Sequence, residues 1–273
     1  MHTRIFAGAI VAAALMMGNA GAGPVFLTGH DPDFHAQGSG GAQVLLTKAL
    51  NYVTGNTTFT PGHKFLYVQS HLAPPGGFLD GNGGLAALGL VNGTNYDQAD
   101  AAGLAALSSF SAYTAIVVAS DFGAMLTDAE IQQLVTMAPQ IKTFINAGGG
   151  LAAFAECGIG FPNCNSNNVN AATPLFGFLP VTVTSVGTTA PYHVTAFGAG
   201  LGLTDADVND PTHNSFGLIG GLNVVDTDSA GVPTTLAGVV TVGSGGFNAP
   251  EPMSLAIFGC GLIGAAAMRR RGK

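Results

Sequence analysis

The residues best suited to acid–base or metal chemistry are a few histidines and carboxylates, and most of them follow short apolar runs. In chain order they are His30, Asp31, Asp33, His35, His71, Asp121, Glu156 and His213. Short apolar runs bounded by turn residues are typical of buried strands. Ligands of open α/β sheets bind beyond the carboxyl ends of the strands. The sequence therefore predicts that several of these side chains meet in one crevice.

Four of these residues are candidates for binding a ligand. His30, Asp33, His35 and His71 carry nitrogen and oxygen donors of the kind that divalent metals accept. The first three lie within the short stretch 30–35 and are the candidates for a metal site. No other cofactor is indicated.

Asp121, Glu156 and His213 suggest a different use, as the acid and base of a small hydrolase. A structural interpretation competes with both chemistries. In that interpretation the aspartates on either side of Pro32 cap a turn, and the histidines bond to loop backbone. The sequence leaves these three alternatives open.

Strands and helices alternate along the chain. Apolar runs predict strands at 24–28, 64–68, 115–119 and 151–155, and later ones at 181–186, 222–226 and 234–242. Helical spacing predicts helices at 43–53, 83–90, 97–110 and 127–145. Thr127 and Glu130 form a capping box, and Pro139 is expected to kink or restart the last helix. The order predicts a mostly parallel sheet with helices on both faces, finished by an antiparallel hairpin.

The chain has few charges. Only 8% of its 273 residues are charged, whereas 47% are hydrophobic, and about 25% charged is typical of a soluble domain. Residues 23–248 hold three lysines, no arginine and fourteen acidic residues, a net charge of −11. Phosphate recognition depends on arginine forks and basic grooves. Nucleic acid is therefore excluded as a partner.

Residues 1–22 have the order of a secretory signal peptide. Arg4 precedes the apolar run 5–17, and Ala20 and Ala22 offer two alternative cleavage points. This segment predicts export.

The other end of the chain has three consecutive parts. A linker at 245–252 contains Pro250-Glu251-Pro252, an apolar stretch covers 253–268, and Arg269, Arg270 and Arg271 follow. As a helix the apolar stretch would be about 24 Å long, slightly short of a hydrocarbon core of ~30 Å. The arginines are expected to stay in the cytoplasm.

These three parts, in this order, closely resemble the PEP-CTERM sorting signal of Gram-negative bacteria. The resemblance implies recognition and cleavage by an exosortase after transient anchoring in the inner membrane. It also implies release to the cell surface or the extracellular matrix, often beside exopolysaccharide and biofilm.

Cysteine usage agrees with export. Six residues separate Cys157 from Cys164, and in an oxidising compartment such a pair favours a disulfide. Free thiols and metal ligation are the alternatives. No second Cys or His pair lies nearby at zinc-ligand spacing, which disfavours the metal.

Several stretches of residues 24–242 resemble the class I glutamine amidotransferase-like superfamily, including its ThuA-like branch. They are 27–30, 117–123, 126–131 and 147–151, the last containing Gly148-Gly149-Gly150. The resemblance implies a flavodoxin-like three-layer sandwich.

The catalytic residues of those amidotransferases are missing. Their nucleophilic cysteine lies five residues after the last glycine, which is Ala155 here, and Cys157 is two residues too late. Their His-x-Glu pair is also absent, since His193 and His213 are followed two positions later by Thr and Ser. Glutaminase chemistry needs a thiolate with a base in reach. The sequence therefore predicts a catalytically degenerate domain.

Together these observations predict five segments. They are a signal peptide at 1–22, the α/β domain at 23–244, a linker at 245–252, a transmembrane sorting helix at 253–268 and a basic tail at 269–273. The expected function is an exported, exosortase-processed surface or matrix protein with a structural or ligand-binding role. Its expected partners are the export machinery, the exosortase and extracellular polysaccharide. The alternative is a ThuA-like hydrolase or other sugar-active enzyme using Asp121, Glu156 and His213.

Overall fold

A computed structural model describes residues 21–55, 63–70, 81–121, 125–156, 175–209 and 212–241. The predictions for the signal peptide up to residue 20, the linker and sorting motif, the apolar stretch 253–268 and the basic tail fall outside these residues. So do His71, Cys157 and Cys164. None of the helices in the described ranges combines the length and the hydropathy that crossing a bilayer requires.

The elements are short. The strands are β1 Gly23–Thr28, β2 Phe65–Val68, β3 Tyr96–Ala99, β4 Ala115–Val118, β5 Gly150–Ala153, β6 Thr184–Val186, β7 His193–Val194, β8 Ser215–Leu218, β9 Asn223–Thr227 and β10 Pro233–Val240. The helices are α1 Pro32–His35, α2 Gly40–Thr54, α3 Asn82–Ala87, α4 Ala101–Ala106, α5 Asp128–Thr136, α6 Ala138–Asn146, α7 Ala196–Gly200 and α8 Asp205–Val208. A 3₁₀ turn covers Leu175–Phe178.

The central sheet has eight strands in the order β3-β2-β4-β5-β1-β10-β9-β7. The first five are parallel to one another, and the last three are added antiparallel. If β2 is counted as the first strand and β1 as the last, the parallel order reads 2-1-3-4-5, as in flavodoxin-like sheets. The prediction of a mixed α/β domain with a mostly parallel sheet is confirmed, and it is consistent with a flavodoxin-like fold.

Two glycines show that helices cover both faces of the sheet. A Cβ on Gly150 would lie 1.9 Å from the backbone of Val53 in α2. A Cβ on Gly23 in the neighbouring strand β1 would lie 2.7 Å from the backbone of Ile145 in α6. Val25, two residues after Gly23, pairs with Leu151, the residue after Gly150. Because successive residues of a strand point to opposite faces, Gly150 and Gly23 face opposite sides of the sheet, and so α2 and α6 lie on opposite faces.

The hairpin and the broken helix follow the sequence prediction. β9 and β10 pair antiparallel, and β10 also pairs with β1, so the hairpin extends the sheet from β1. The capping box of Thr127 and Glu130 is formed at the start of α5. Pro139 lies in the first turn of α6, after α5 has ended at Thr136. There the missing N–H of a proline breaks no helical hydrogen bond.

One prediction of secondary structure was wrong, and another holds only in part. The stretch 97–110 is a strand followed by a short helix, because Asp100 accepts a hydrogen bond from Gly103 N (2.8 Å) and so caps α4 after β3 has ended. The run 181–186 yields only β6, which pairs with β8 in a separate two-stranded sheet. Its residues are exposed or half-buried.

Candidate functional site

The carboxyl ends of β1, β4 and β5 bring most of the predicted site residues to one edge of the sheet. The backbone N–H of Asp121, after β4, donates to the carbonyl of Ala155 (3.1 Å), immediately before Glu156. The backbone N–H of Glu156 in turn donates to Asn214 Oδ1 (2.9 Å), next to His213. These hydrogen bonds link the segments that carry Asp121, Glu156 and His213.

Gly29 allows the segment 212–214 to reach this edge. The backbone N–H of His213 donates to the carbonyl of Gly29 (2.8 Å). A Cβ on Gly29 would lie 1.7 Å from the carbonyl oxygen of Asn214. Any larger residue at this position would push the His213 segment away from β1.

Asp31 lies between two histidines. Its Oδ2 is 3.0 Å from His213 Nε2 and 3.3 Å from His35 Nε2. Asp31 and His213 are buried, whereas 25% of the His35 side chain is exposed, so His35 connects the group to solvent. Oδ1 of Asp31 has no hydrogen-bond partner among the described residues. We call these three residues the Asp31 cluster.

The two histidines determine the charge of Asp31. Burial alone would raise the pKa of this carboxyl group, but the hydrogen bonds and charges of His213 and His35 outweigh burial and lower its pKa. The carboxylate is therefore ionised and orients both imidazole rings. This arrangement is compatible with binding a polar ligand and equally with a purely structural role.

His30 belongs to a separate buried chain of hydrogen bonds. Its Nε2 lies 2.7 Å from Asp226 Oδ2, and its Nδ1 lies 2.5 Å from Thr212 Oγ1. Asp226 Oδ2 also accepts from Thr234 Oγ1 (2.7 Å). A carboxylate only accepts hydrogen bonds, so His30 Nε2 carries a proton and donates to Asp226. Both ring nitrogens of His30 are thus engaged within the protein, where they tie β1 to the β9–β10 hairpin.

The side chain of Asp33 joins Tyr67 of β2 to Ser120, which follows β4, at the carboxyl end of these two paired strands. It accepts hydrogen bonds from Ser120 N (2.9 Å), Ser120 Oγ (3.0 Å) and Tyr67 OH (3.1 Å). Burial, with a smaller contribution from the charge of Asp31, raises the pKa of Asp33 to about 6. In the 2-1-3-4-5 order this position is the switch point at which flavodoxin-like sheets bind ligands. Here a side chain of the protein itself occupies it.

Glu156 is held by the segments that follow β5. Its Oε1 accepts from Leu175 N (2.8 Å), and its Oε2 accepts from Ser185 Oγ. Burial raises the pKa of Glu156, and the two hydrogen bonds act in the opposite direction. A carboxyl group with a raised pKa is a candidate general acid. Both oxygens of Glu156, however, also hold the segments around Leu175 and Ser185 through hydrogen bonds.

Ala155 is the residue at which the sequence resemblance predicts the amidotransferase nucleophile. Its side chain is fully buried, and its backbone N–H donates to the carbonyl of His30 (3.1 Å). The residue therefore continues the β1–β5 pairing and presents a methyl group to the core.

The three metal candidates have different partners. His30 contacts Asp226 and Thr212, Asp33 contacts Ser120 and Tyr67, and His35 contacts Asp31. Across the ranges given above, no group of three or more His, Cys, Asp and Glu side chains is arranged to hold a metal ion.

Sequence reasoning missed the partners that engage these candidates. They are Tyr67, Ser120, Ser185, Thr212, Asn214 and Asp226. Only Asp226 carried a visible signal, because it is an acidic residue at the end of a predicted apolar strand. The other five are ordinary polar residues whose contacts depend on the fold.

We compared the chain with protein-family models, with curated proteins and with solved structures, and none of the three comparisons found a match.

Proposed function

We propose that this chain is an exported protein that an exosortase processes at Pro250-Glu251-Pro252 and that acts at the cell surface or in the extracellular matrix. Its body is a flavodoxin-like three-layer domain of the amidotransferase-like type without glutaminase activity. Its role is structural or ligand-binding. The order of signal peptide, linker, apolar stretch and arginines in the sequence supports the export and sorting part.

The environment of Ala155 is the main support for a domain without glutaminase activity. A methyl group buried in the core stands where the nucleophile would be. His30, Asp33 and Glu156 are each hydrogen-bonded to residues of the protein itself. An active site keeps such groups available to the substrate. These contacts favour a scaffold over a glutaminase.

A ligand-binding role has its best support at the Asp31 cluster. It contains a buried carboxylate with one oxygen that has no described partner, next to His35, whose side chain is 25% exposed. Buried polar atoms without a partner are few in folded proteins. A small polar ligand with a hydrogen-bond donor would satisfy that oxygen.

The sorting proposal is tested with the full chain in a Gram-negative host, with and without an exosortase. With the enzyme, wild type is expected at the cell surface and shortened at its C-terminus by intact mass. Glu251→Ala should keep its full length and remain in the inner membrane, and Ser244→Ala should behave as wild type. Equal mass and location for wild type and Glu251→Ala would overturn the proposal.

The degenerate domain is tested by ammonia release from glutamine. The purified full chain should show no release above the uncatalysed background. Release that Glu156→Gln abolishes would assign a catalytic role and overturn this part of the proposal, whatever the result of the sorting experiment.

The second candidate, a ThuA-like or other sugar-active hydrolase, is favoured by the raised pKa of Glu156 and by its backbone link to the His213 segment. Chromogenic glycosides test it. Turnover that Glu156→Gln removes and that Asp205→Asn, an exposed control, retains would establish this enzyme in place of the scaffold.

A further inference from the structure

A cavity of about 960 Å³ opens at the edge of the sheet opposite to the Asp31 cluster. Pro24 at the start of β1 and Gly149 just before β5 form its base. The end of α2, the loop 108–114 before β4, and α6 form its walls. Parallel strands start at one edge and end at the other, so this cavity is separate from the site described above. Its volume is within the range of small-molecule sites, roughly 300–1,000 Å³.

Three aromatic rings line the cavity. They belong to Phe110, Tyr113 and Phe144. The rings of Phe110 and Phe144 are tilted at 55° with centroids 5.9 Å apart. Gly149 makes room for the second ring, because a Cβ there would lie 2.3 Å from it. The backbone at Gly149 therefore leaves the space that the Phe144 ring occupies. Aromatic rings offer a flat apolar contact surface and lose little conformational entropy on binding.

Uncharged polar side chains surround these rings. Ser109 and Ser111 are exposed and lie within hydrogen-bond distance of each other (2.9 Å between Oγ atoms). Gln140, on α6, is also exposed and adds an amide that both donates and accepts. No described lining residue is Asp, Glu, Lys, Arg or His.

This lining selects the chemical class of the ligand. No charged side chain among the described residues lines the cavity, and Asp97, which contacts the lining residue Tyr113, is already paired with Lys64 (2.8 Å). The net charge of −11 over residues 23–248 disfavours anions in particular. A purely apolar ligand would cover the serine and glutamine groups without replacing their hydrogen bonds to water. A neutral sugar has apolar C–H faces that stack on rings, and hydroxyl groups that pair with hydroxyl and amide side chains.

From the lining we infer that this cavity is a binding site for a neutral carbohydrate. The inference is independent of the sorting proposal, because an unprocessed chain carries the same cavity. The sugar would lie against the half-buried rings of Tyr113 and Phe144, with the buried Phe110 behind them, and Ser109, Ser111 and Gln140 would bond to its hydroxyl groups.

The test is a binding assay of the full chain on an immobilised panel of neutral glycans (glucans, mannans, galactans and xylans) and anionic ones (alginate and polygalacturonate). Wild type is expected to bind at least one neutral glycan and no anionic glycan. Ser109→Trp places a large ring in the mouth of the cavity and should weaken binding at least tenfold. Val91→Trp, at a position 56% exposed and outside the lining, is the matched control and should bind as wild type.

Three results with wild type and Ser109→Trp would each overturn the inference. They are binding of no neutral glycan by wild type, preference for an anionic glycan, and equal binding by wild type and Ser109→Trp. Thermal unfolding of both tryptophan variants checks that they are folded. Gln140→Ala is a second test variant, which removes a polar group without adding a larger side chain. It should weaken binding of the same glycan, and an unchanged affinity would place the sugar elsewhere.

Discussion

His30 Nε2 and Asp226 Oδ2 lie 2.7 Å apart, although 196 residues separate the two in the chain and both side chains are buried. The contact joins the carboxyl end of β1 to the hairpin that completes the sheet. A buried charged group that loses its partner retains the full penalty of burial. Removal of this contact is therefore expected to lower the free energy of unfolding of the whole domain.

Asp226→Asn is expected to lower the free energy of unfolding by about 2–3 kcal/mol, because it removes the charge that both His30 and Thr234 donate to. Urea unfolding of the full chain measures the change. Asp205→Asn is the matched control. It breaks a similar contact with His193, 3.0 Å long, in which both side chains are more than half exposed. Solvent screens such an exposed pair, so the control should lose little stability. A loss as large as that of Asp226→Asn would contradict the interpretation.

Gly29→Ala is expected to destabilise the protein strongly and to displace the His213 segment. The new Cβ would lie 1.7 Å from a backbone oxygen that cannot move without breaking the contact to β1. Overpacking of this kind lowers stability by about 1–3 kcal/mol or more. Gly38→Ala, where a Cβ would meet nothing within 4 Å, is the control for the loss of a glycine. Similar unfolding midpoints for the two variants would refute the close approach.

The stability of the protein should depend on pH through Asp33. Its pKa is raised from 3.8 to about 6, so the folded state binds this proton more tightly than the unfolded chain does. The resulting stabilisation is complete below about pH 3.8 and is lost as the pH rises through about 6. Its upper limit is roughly 3 kcal/mol at 1.36 kcal/mol per pKa unit.

Asp33→Asn isolates this contribution from the other titrating groups. The difference in unfolding free energy between wild type and Asp33→Asn is expected to shift in favour of the variant between pH 4 and pH 7. Urea unfolding at four or five pH values measures the shift. A difference that stays constant over this range would show that Asp33 is not the titrating group.

Thr127→Ala should lower the free energy of unfolding by about 1 kcal/mol, the usual effect of removing an N-cap hydroxyl. The Thr127 side chain accepts from Ala129 N (3.3 Å), and Glu130 accepts from Thr127 N (2.9 Å). Thr136→Ala on the exposed end of the same helix is the control and should change stability by less than about 0.5 kcal/mol. Equal effects would mean that the cap contributes nothing beyond helix propensity.

Local signals in the sequence determined much of the fold. The apolar runs around 24–28, 115–119 and 151–155 correspond to β1, β4 and β5, and the capping box and Pro139 marked the boundaries of α5 and α6. These signals are reliable because each depends on neighbours within a few residues. The region 97–110 shows the limit of such signals, since pairing with β2 made residues 96–99 a strand where local spacing indicated a helix.

The composition and the ends of the chain also determined the proposed destination, because export and sorting signals are linear and need no fold. The site was different. The sequence placed histidines and carboxylates at strand ends, but the tertiary structure alone decided that His30 faces Asp226, that Asp33 fills the position between β2 and β4, and that Asp31 lies between His35 and His213. Apart from Asp31 and His35, which are four residues apart, these contacts join segments between 34 and 196 residues apart. Which polar groups satisfy one another in a buried interior depends on the packing of the whole sheet, and no local pattern encodes it.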